Sequence, residues 1–110
     1  MKYVRNLAYR VVVTPRAKEH LRGILLYIRF VLKNPDAARN VKCDANETKR
    51  KLTYIAESLK LCEEPELAIQ GYRVIFFQKH DYVMLYRVVG DTVYVDGICH
   101  ERQNYRKLFK

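Results

Sequence analysis

Acidic residues are scarce in this 110-residue chain: 12 Asp and Glu stand against 21 Lys and Arg, a formal net charge of +9. The one acidic patch is Glu63-Glu64-Pro65-Glu66. A surface so short of carboxylates favours an acidic partner (nucleic acid, an anionic membrane or an acidic protein segment), and charge does not choose among them. Cysteine is equally sparse. Cys43, Cys62 and Cys99 are odd in number, widely spaced and form no C-x-x-C pair, which argues against a disulfide framework and for a reducing cytoplasm. Cys99-His100 lacks the further ligands a metal site needs. Long apolar runs are missing too. The longest, Ile24-Leu25-Leu26-Tyr27-Ile28, is far short of a membrane span, and no apolar stretch follows Met1-Lys2-Tyr3-Val4-Arg5 to make a signal peptide. There are no repeats, low-complexity tracts or linkers, so residues 1–110 read as one domain. A hydrophobic content of 49%, with 12% aromatics, excludes a disordered chain.

What is present is a strongly patterned chain. Tyr9-Arg10-Val11-Val12-Val13-Thr14 is a strand by composition. Thr14-Pro15 then signals a helix start, a capping hydroxyl followed by Pro at the first helical position. Ala17, Leu21, Ile24, Ile28 and Val31 form its apolar stripe to about Lys33, and Leu25, Leu26 and Phe30 widen the surface, so this helix is expected to be buried on more than one side. Asn34-Pro35 repeats the start signal. Ala38, Val41, Ala45, Thr48, Leu52, Ile55 and Leu59 continue the next stripe, with Lys42, Asn46, Lys49, Arg50 and Lys51 off the seam as a solvated face. The very short link makes the two helices an antiparallel hairpin. The pattern is lost from Lys60 to Gln70, and the acidic patch reads as loop.

Gly71 to Tyr105 carries three runs rich in Val, Ile, Tyr and Phe, separated by Lys79-His80-Asp81 and Gly90-Asp91. They predict a three-stranded antiparallel meander ending in a polar cluster of His100, Arg102, Gln103 and Tyr105. The fold class is therefore α+β: an N-terminal strand, a helical hairpin and the meander. The helices bury Leu21, Ile28, Leu52 and Ile55 against one sheet face and leave the other open. A two-residue turn at Gly90-Asp91 pairs Arg87 with Tyr94 and Leu85 with Asp96. Alternation then puts Arg87, Tyr94, Asp96, Ile98 and His100 on the open face. Arg73 shares that face if the preceding loop has three residues. With two, Val74 and Phe76 take its place.

Asn34-Pro35-Asp36-Ala37-Ala38 opening the second helix, Tyr82-Val83-Met84-Leu85-Tyr86-Arg87-Val88 in the meander and the closing Val95-Asp96-Gly97-Ile98-Cys99-His100-Glu101-Arg102-Gln103-Asn104-Tyr105 resemble the RelE/ParE superfamily of bacterial toxins. The likeness spans about residues 8 to 109. It implies the toxin of a type II toxin–antitoxin system of the plasmid-stabilisation kind, neutralised by a cognate antitoxin. The RelE branch cuts mRNA on the ribosome; the ParE branch inhibits DNA gyrase. The nuclease branch carries an Arg after the first Tyr of its third strand, where this chain has Val83, and Val74 and Phe76 lie near its basic positions. The His100-x-Arg102-Gln103 ending looks more ParE-like. The resemblance thus implies a non-enzymatic gyrase inhibitor, with a ribosome-dependent mRNA endonuclease as the alternative. A non-toxic basic nucleic-acid-binding domain explains the charge equally well. No cofactor, metal, membrane or small-molecule substrate is expected.

If the chain is a nuclease, His100, Arg102, Tyr105 and Arg87 are its catalytic candidates. A His suits proton transfer near neutral pH, and guanidinium forks suit phosphate. The mRNA 2′-OH would attack its own phosphate without a metal. Each candidate has a plain alternative: His100 as a strand-end residue bonded to a neighbour, Arg102 paired with Asp96, and Tyr105 anchoring a tail with Leu108 and Phe109. Arg73, Lys79, Arg87 and Arg102 are the candidates for binding a nucleic acid or other target, and His80 reads as a turn residue.

Overall fold

The computed structural model describes residues 8–103. Strand β1 (Arg10–Val13) leads into helix α1 (Pro15–Leu26), which continues as a π-helical turn over Tyr27–Val31. Helix α2 (Pro35–Ile55), a short helix α3 (Pro65–Ile69) and strands β2 (Arg73–Phe76), β3 (Tyr82–Val89) and β4 (Thr92–His100) follow. The sheet order is β1-β4-β3-β2, with β1 parallel to β4 and the meander antiparallel.

Both helix starts form as their residues dictate. Thr14 Oγ1 accepts from the Ala17 amide at 3.3 Å, and Asn34 Oδ1 accepts from the Ala37 amide at 3.0 Å, each with Pro at the next position. The α2 stripe of Ala38, Val41, Ala45, Thr48 and Leu52 is buried with Met84, Tyr86, Val93 and Val95 of the sheet. Ile28 is buried and Leu21 packs against the same core. Ile55, expected to be buried, is 37% exposed. The chain tightens into a 3-10 turn over Ala56–Ser58 there, which re-phases the face so that Ala56 points inward instead. Tyr86 closes that end of the core, its hydroxyl donating to the Ala56 carbonyl at 2.6 Å, and burial pushes its phenol up to about 12.

The end of α1 also departs from expectation. Leu26, Tyr27, Phe30, Val31 and Leu32 are exposed, so the helix is buried on one side only. Apolar residues all round a helix require a partner on each side, and no described segment of this chain supplies the second one.

The β3–β4 hairpin turns through Gly90, whose φ of 63° fits the first position of a type II′ turn, and Arg87 pairs with Tyr94 as expected. The ladder then shifts: Tyr86 pairs with Val95 but Leu85 with Gly97, leaving Asp96 as a bulge. One extra residue reverses every side chain beyond it. Ile98 joins the helix-side core, and His100, opposite Tyr82, falls on that side too. Cys99 turns outward to pack with Val83 and Leu85. The expected Arg87/His100 face therefore does not exist: Arg87, Tyr94 and Asp96 share the outer face and His100 does not. Neither expected loop length occurs in the first hairpin. Arg73 pairs with Tyr86, and the Phe77 amide donates to the Tyr82 carbonyl at 2.8 Å, enclosing four residues. Val74 and Phe76 take the outer face.

That face is not fully open. The segment expected to be an acidic loop folds back over Val83, Leu85 and Cys99, burying Cys62, Leu67 and Tyr72. A Cys62 amide bond to the Tyr72 carbonyl at 2.8 Å seats it, and Gly71, at φ 87°, reverses the chain.

The bulge also frees the Ile98 amide, which donates to Nδ1 of His20 on α1 at 3.2 Å. Burial and then the Arg16 charge lower the His20 pKa, because the folded state needs this ring neutral. The contribution is complete above the unfolded value of about 6.5 and is lost as pH falls from there through the lower folded value. His20→Gln keeps an acceptor that does not titrate. Urea midpoints of the two proteins are therefore expected to differ at pH 7.5 and converge towards pH 5; a constant difference would show that His20 is not the group that titrates.

Candidate functional site

The outer sheet face gathers its polar side chains around the bulge. Asp96 is the hub: Tyr72 donates its hydroxyl to Asp96 Oδ2 at 2.7 Å, and Arg87 Nε donates to the same oxygen at 2.9 Å. The Arg87 guanidinium also lies over the Tyr94 ring at 5.6 Å and the Tyr72 ring at 6.0 Å. The Asp96 hydrogen bond holds the Arg87 pKa above its usual value, while burial and then Asp96 raise that of Tyr72. The result is a fixed cation flanked by aromatic rings on a partly open strand face. Such a group binds anions or planar groups. It does not exchange protons near neutral pH.

The other expected site residues lie elsewhere. His100 is exposed at the end of β4, its ring 5.6 Å from that of Tyr82 in an edge contact. Its Nδ1 accepts from the Arg102 amide at 3.2 Å, which places the proton of the neutral ring on Nε2. Arg102 is exposed in the turn that follows and does not pair with Asp96, whose carboxylate is taken by Arg87 and Tyr72. Arg73 faces the helices and donates to the Leu59 carbonyl. Lys79 is exposed on the β2–β3 loop. Tyr105, Leu108 and Phe109 lie outside the described residues. Of the three catalytic candidates among the described residues, the structure sets Arg87 apart from His100 and Arg102, and those two meet only through the Arg102 amide at His100 Nδ1.

A site that sequence reasoning missed lies between α2 and the β2–β3 loop. The Asp44 carboxylate, its side chain 2% exposed, accepts from the Gln78 amide at 3.1 Å, the Lys79 amide at 2.8 Å and His80 Nδ1 at 2.7 Å. It forms the floor of a cleft of about 630 Å³ whose walls include Asn40, Cys43 and Glu47. His80 is an anchor of the loop and not merely a turn residue. Asp44 stands three residues after Val41 and four before Thr48. A carboxylate in phase with an apolar stripe was the available signal. Among the described residues no group of three His, Cys, Asp or Glu side chains is placed to hold a metal ion. The thiols of Cys43, Cys62 and Cys99 are free, and burial raises the pKa of Cys62 and pushes Cys99 up to about 12.

Two solved structures share this architecture. The chromosomal ParDE TA system from P. aeruginosa aligns with a TM-score of 0.70 at 21% identity, covering 84% of this chain and 96% of that one. The toxin–antitoxin complex RelBE2 from Mycobacterium tuberculosis aligns at 0.55 and 18%, covering 86% and 99%. At these identities the likeness is one of fold. No curated protein matches the sequence. The family model for the ParE toxin of the type II toxin–antitoxin system, parDE, matches residues 11–105. With nearly its whole length matched, and with the strand, helical hairpin and meander in that order, the chain belongs to the ParE toxin family of type II toxin–antitoxin systems.

Proposed function

We propose that this toxin works in the cytoplasm, is held inactive by a cognate antitoxin, and arrests growth by acting on DNA gyrase without cutting RNA. The observation that carries this reading is the bulge at Asp96. It turns His100 away from Arg87 and leaves Arg87 bonded to Asp96, whose carboxylate also takes the Tyr72 hydroxyl. Asp96 and Tyr72 are both buried and engaged with each other, so the outer face presents a binding group without a free proton donor and acceptor beside it. Cleavage by 2′-OH attack needs both within reach of one phosphate. Val83, where the nuclease branch carries Arg, is fully buried under the segment that holds Cys62 and Leu67, which supports the same conclusion. Among the described residues no helix is long and apolar enough to cross a membrane.

Inducing the protein in growing cells tests this. DNA synthesis is expected to stop before translation, purified gyrase to lose supercoiling activity, and mRNA on ribosomes to stay intact. His100→Ala is expected to keep most of the toxicity. Ribosome-bound mRNA that is cut by the wild-type protein, and cut about 10²–10⁴-fold more slowly by His100→Ala, would establish the endonuclease instead.

A further inference from the structure

Two of the three cysteines have no part in the proposed activity, and the fold brings them together. Cys62 and Cys99 are far apart in the chain, yet both are buried in one cluster on the outer sheet face, with Leu67, Tyr72, Val83 and Leu85. The bulge at Asp96 turns Cys99 to that side, opposite Val83 on β3. Gly97, the preceding residue of β4 on the same face, carries no side chain, so the covering segment has room to approach beside Cys99. Cys62 lies at the point where that segment is seated, its amide bonded to the Tyr72 carbonyl at 2.8 Å. The two sulfurs also sense each other. After burial, the neighbouring Cys62 is the next cause that raises the Cys99 thiol, a coupling that acts at short range. Cys43, in contrast, is exposed on α2, which packs against the other face of the sheet.

We infer that Cys62 and Cys99 are a dithiol site, which a low-molecular-weight disulfide oxidises to an intramolecular disulfide that staples the covering segment to β4. In the closed state neither sulfur reacts, because burial raises both thiols and only a thiolate is nucleophilic. Reaction waits for the chain from Cys62 to Tyr72 to lift, a local opening that leaves the helix-side core intact. The Cys62 thiolate then attacks one sulfur of glutathione disulfide. A bond from Cys62 to glutathione forms, the glutathione S–S bond breaks, and one glutathione thiolate leaves. As the segment returns, Cys99 gives its proton to a glutathione thiolate and attacks the Cys62 sulfur, and the second glutathione departs. Two protein thiols are oxidised, and one glutathione disulfide is reduced to two glutathione thiols.

The ring that this bond closes contains β2 and β3. Tyr72, at the far end of the same segment, holds Asp96, so the oxidised form also fixes the surroundings of Arg87. In a reducing compartment the site rests as two thiols, and it closes when the surrounding thiol pool is oxidised. Cys43, on the other side of the sheet, forms only mixed disulfides.

The test treats the folded full-length chain carrying Cys43→Ser with glutathione disulfide at mildly alkaline pH, and maps the same peptides in the wild-type chain. The intact mass is expected to fall by about 2 Da, two hydrogens lost as one S–S bond forms. Cys62 and Cys99 should appear in one cross-linked product, and dithiothreitol should restore the mass. Oxidation should raise the melting point by about 5–20 °C, as expected for a cross-link that closes a long loop. The Cys62 amide should then exchange at least about tenfold more slowly, since the stapled segment no longer lifts on its own. Adding Cys99→Ala should stop the reaction at one glutathione on Cys62. Two glutathione adducts without a cross-link overturn the inference. So does a cross-link that forms only in urea, which would mean that the folded chain does not hold the two sulfurs as a pair. A disulfide that forms in the folded chain but lowers the melting point overturns it too, because the native packing would then have to be broken to make the bond.

Discussion

Leu52→Ala is expected to destabilise the protein by about 2–5 kcal/mol, the usual cost of deleting a buried leucine and leaving a cavity. Leu52 is fully buried on the sheet-facing side of α2, in the cluster that includes Val41, Tyr86 and Val95. Its neighbours leave little freedom to collapse into the space. Tyr86 is held by its bond to the Ala56 carbonyl, and Thr48 by a bond from its hydroxyl to the Asp44 carbonyl at 2.8 Å. In a chain of this size the loss corresponds to a melting point lower by roughly 10–20 °C. Urea unfolding measures it, with an unchanged slope showing that the denatured state is not involved. Ile55→Ala, on the same stripe but partly solvated, is expected to cost about 1 kcal/mol or less, as for a side chain only partly removed from water. Equal losses at the two positions would mean that α2 does not turn away from the sheet at its end.

The contrast between Leu52 and Ile55 shows where the sequence was legible. Local chemistry announces itself: Thr14-Pro15 and Asn34-Pro35 cap helices wherever they stand, and the spacing from Ala38 to Leu52 specifies one face. The bulge at Asp96 does not. It is held by Arg87, nine residues away, and by Tyr72, twenty-four residues away, and such pairings leave no periodic trace. Ile98 and Cys99 are both apolar, so alternation cannot decide which of them faces the helices, and the error carried His100 to the wrong side. The chain from Cys62 to Tyr72 was unreadable for a similar reason. Its buried side chains answer to a surface on β3 and β4, and to no period of its own. At the end of α1 the apolar pattern predicts burial on more than one side and the residues are exposed, because a pattern cannot say whether the partner belongs to the same chain.

Asp44→Ala is expected to cost about 2–4 kcal/mol, because a charged acceptor is withdrawn from three donors whose bonds are worth about 1.5–3 kcal/mol each and are not additive. The carboxylate is all but excluded from water, and three groups from one loop converge on it. Alanine leaves the Gln78 and Lys79 amides without their acceptor, and His80 loses the group that orients its ring. Asp44→Asn retains one oxygen and should recover part of the loss, roughly 1–2 kcal/mol, since a neutral acceptor makes the weaker bond. Acid provides an independent check. Burial raises the Asp44 pKa, but the His80 bond and the two amide bonds outweigh it, so the carboxyl lies below its usual value. A depressed pKa means stability that is complete above the unfolded value of about 3.9 and lost as pH falls through the folded one. The gap between wild type and Asp44→Ala should therefore be flat from pH 7 to 5 and shrink below pH 4. Hydrogen exchange locates the effect: in the variant the Gln78 and Lys79 amides should exchange much faster than those of β3, because the loop opens before the sheet does. Continued protection of both amides in Asp44→Ala, with less than about 1 kcal/mol lost, would show that the loop is held by something other than this carboxylate.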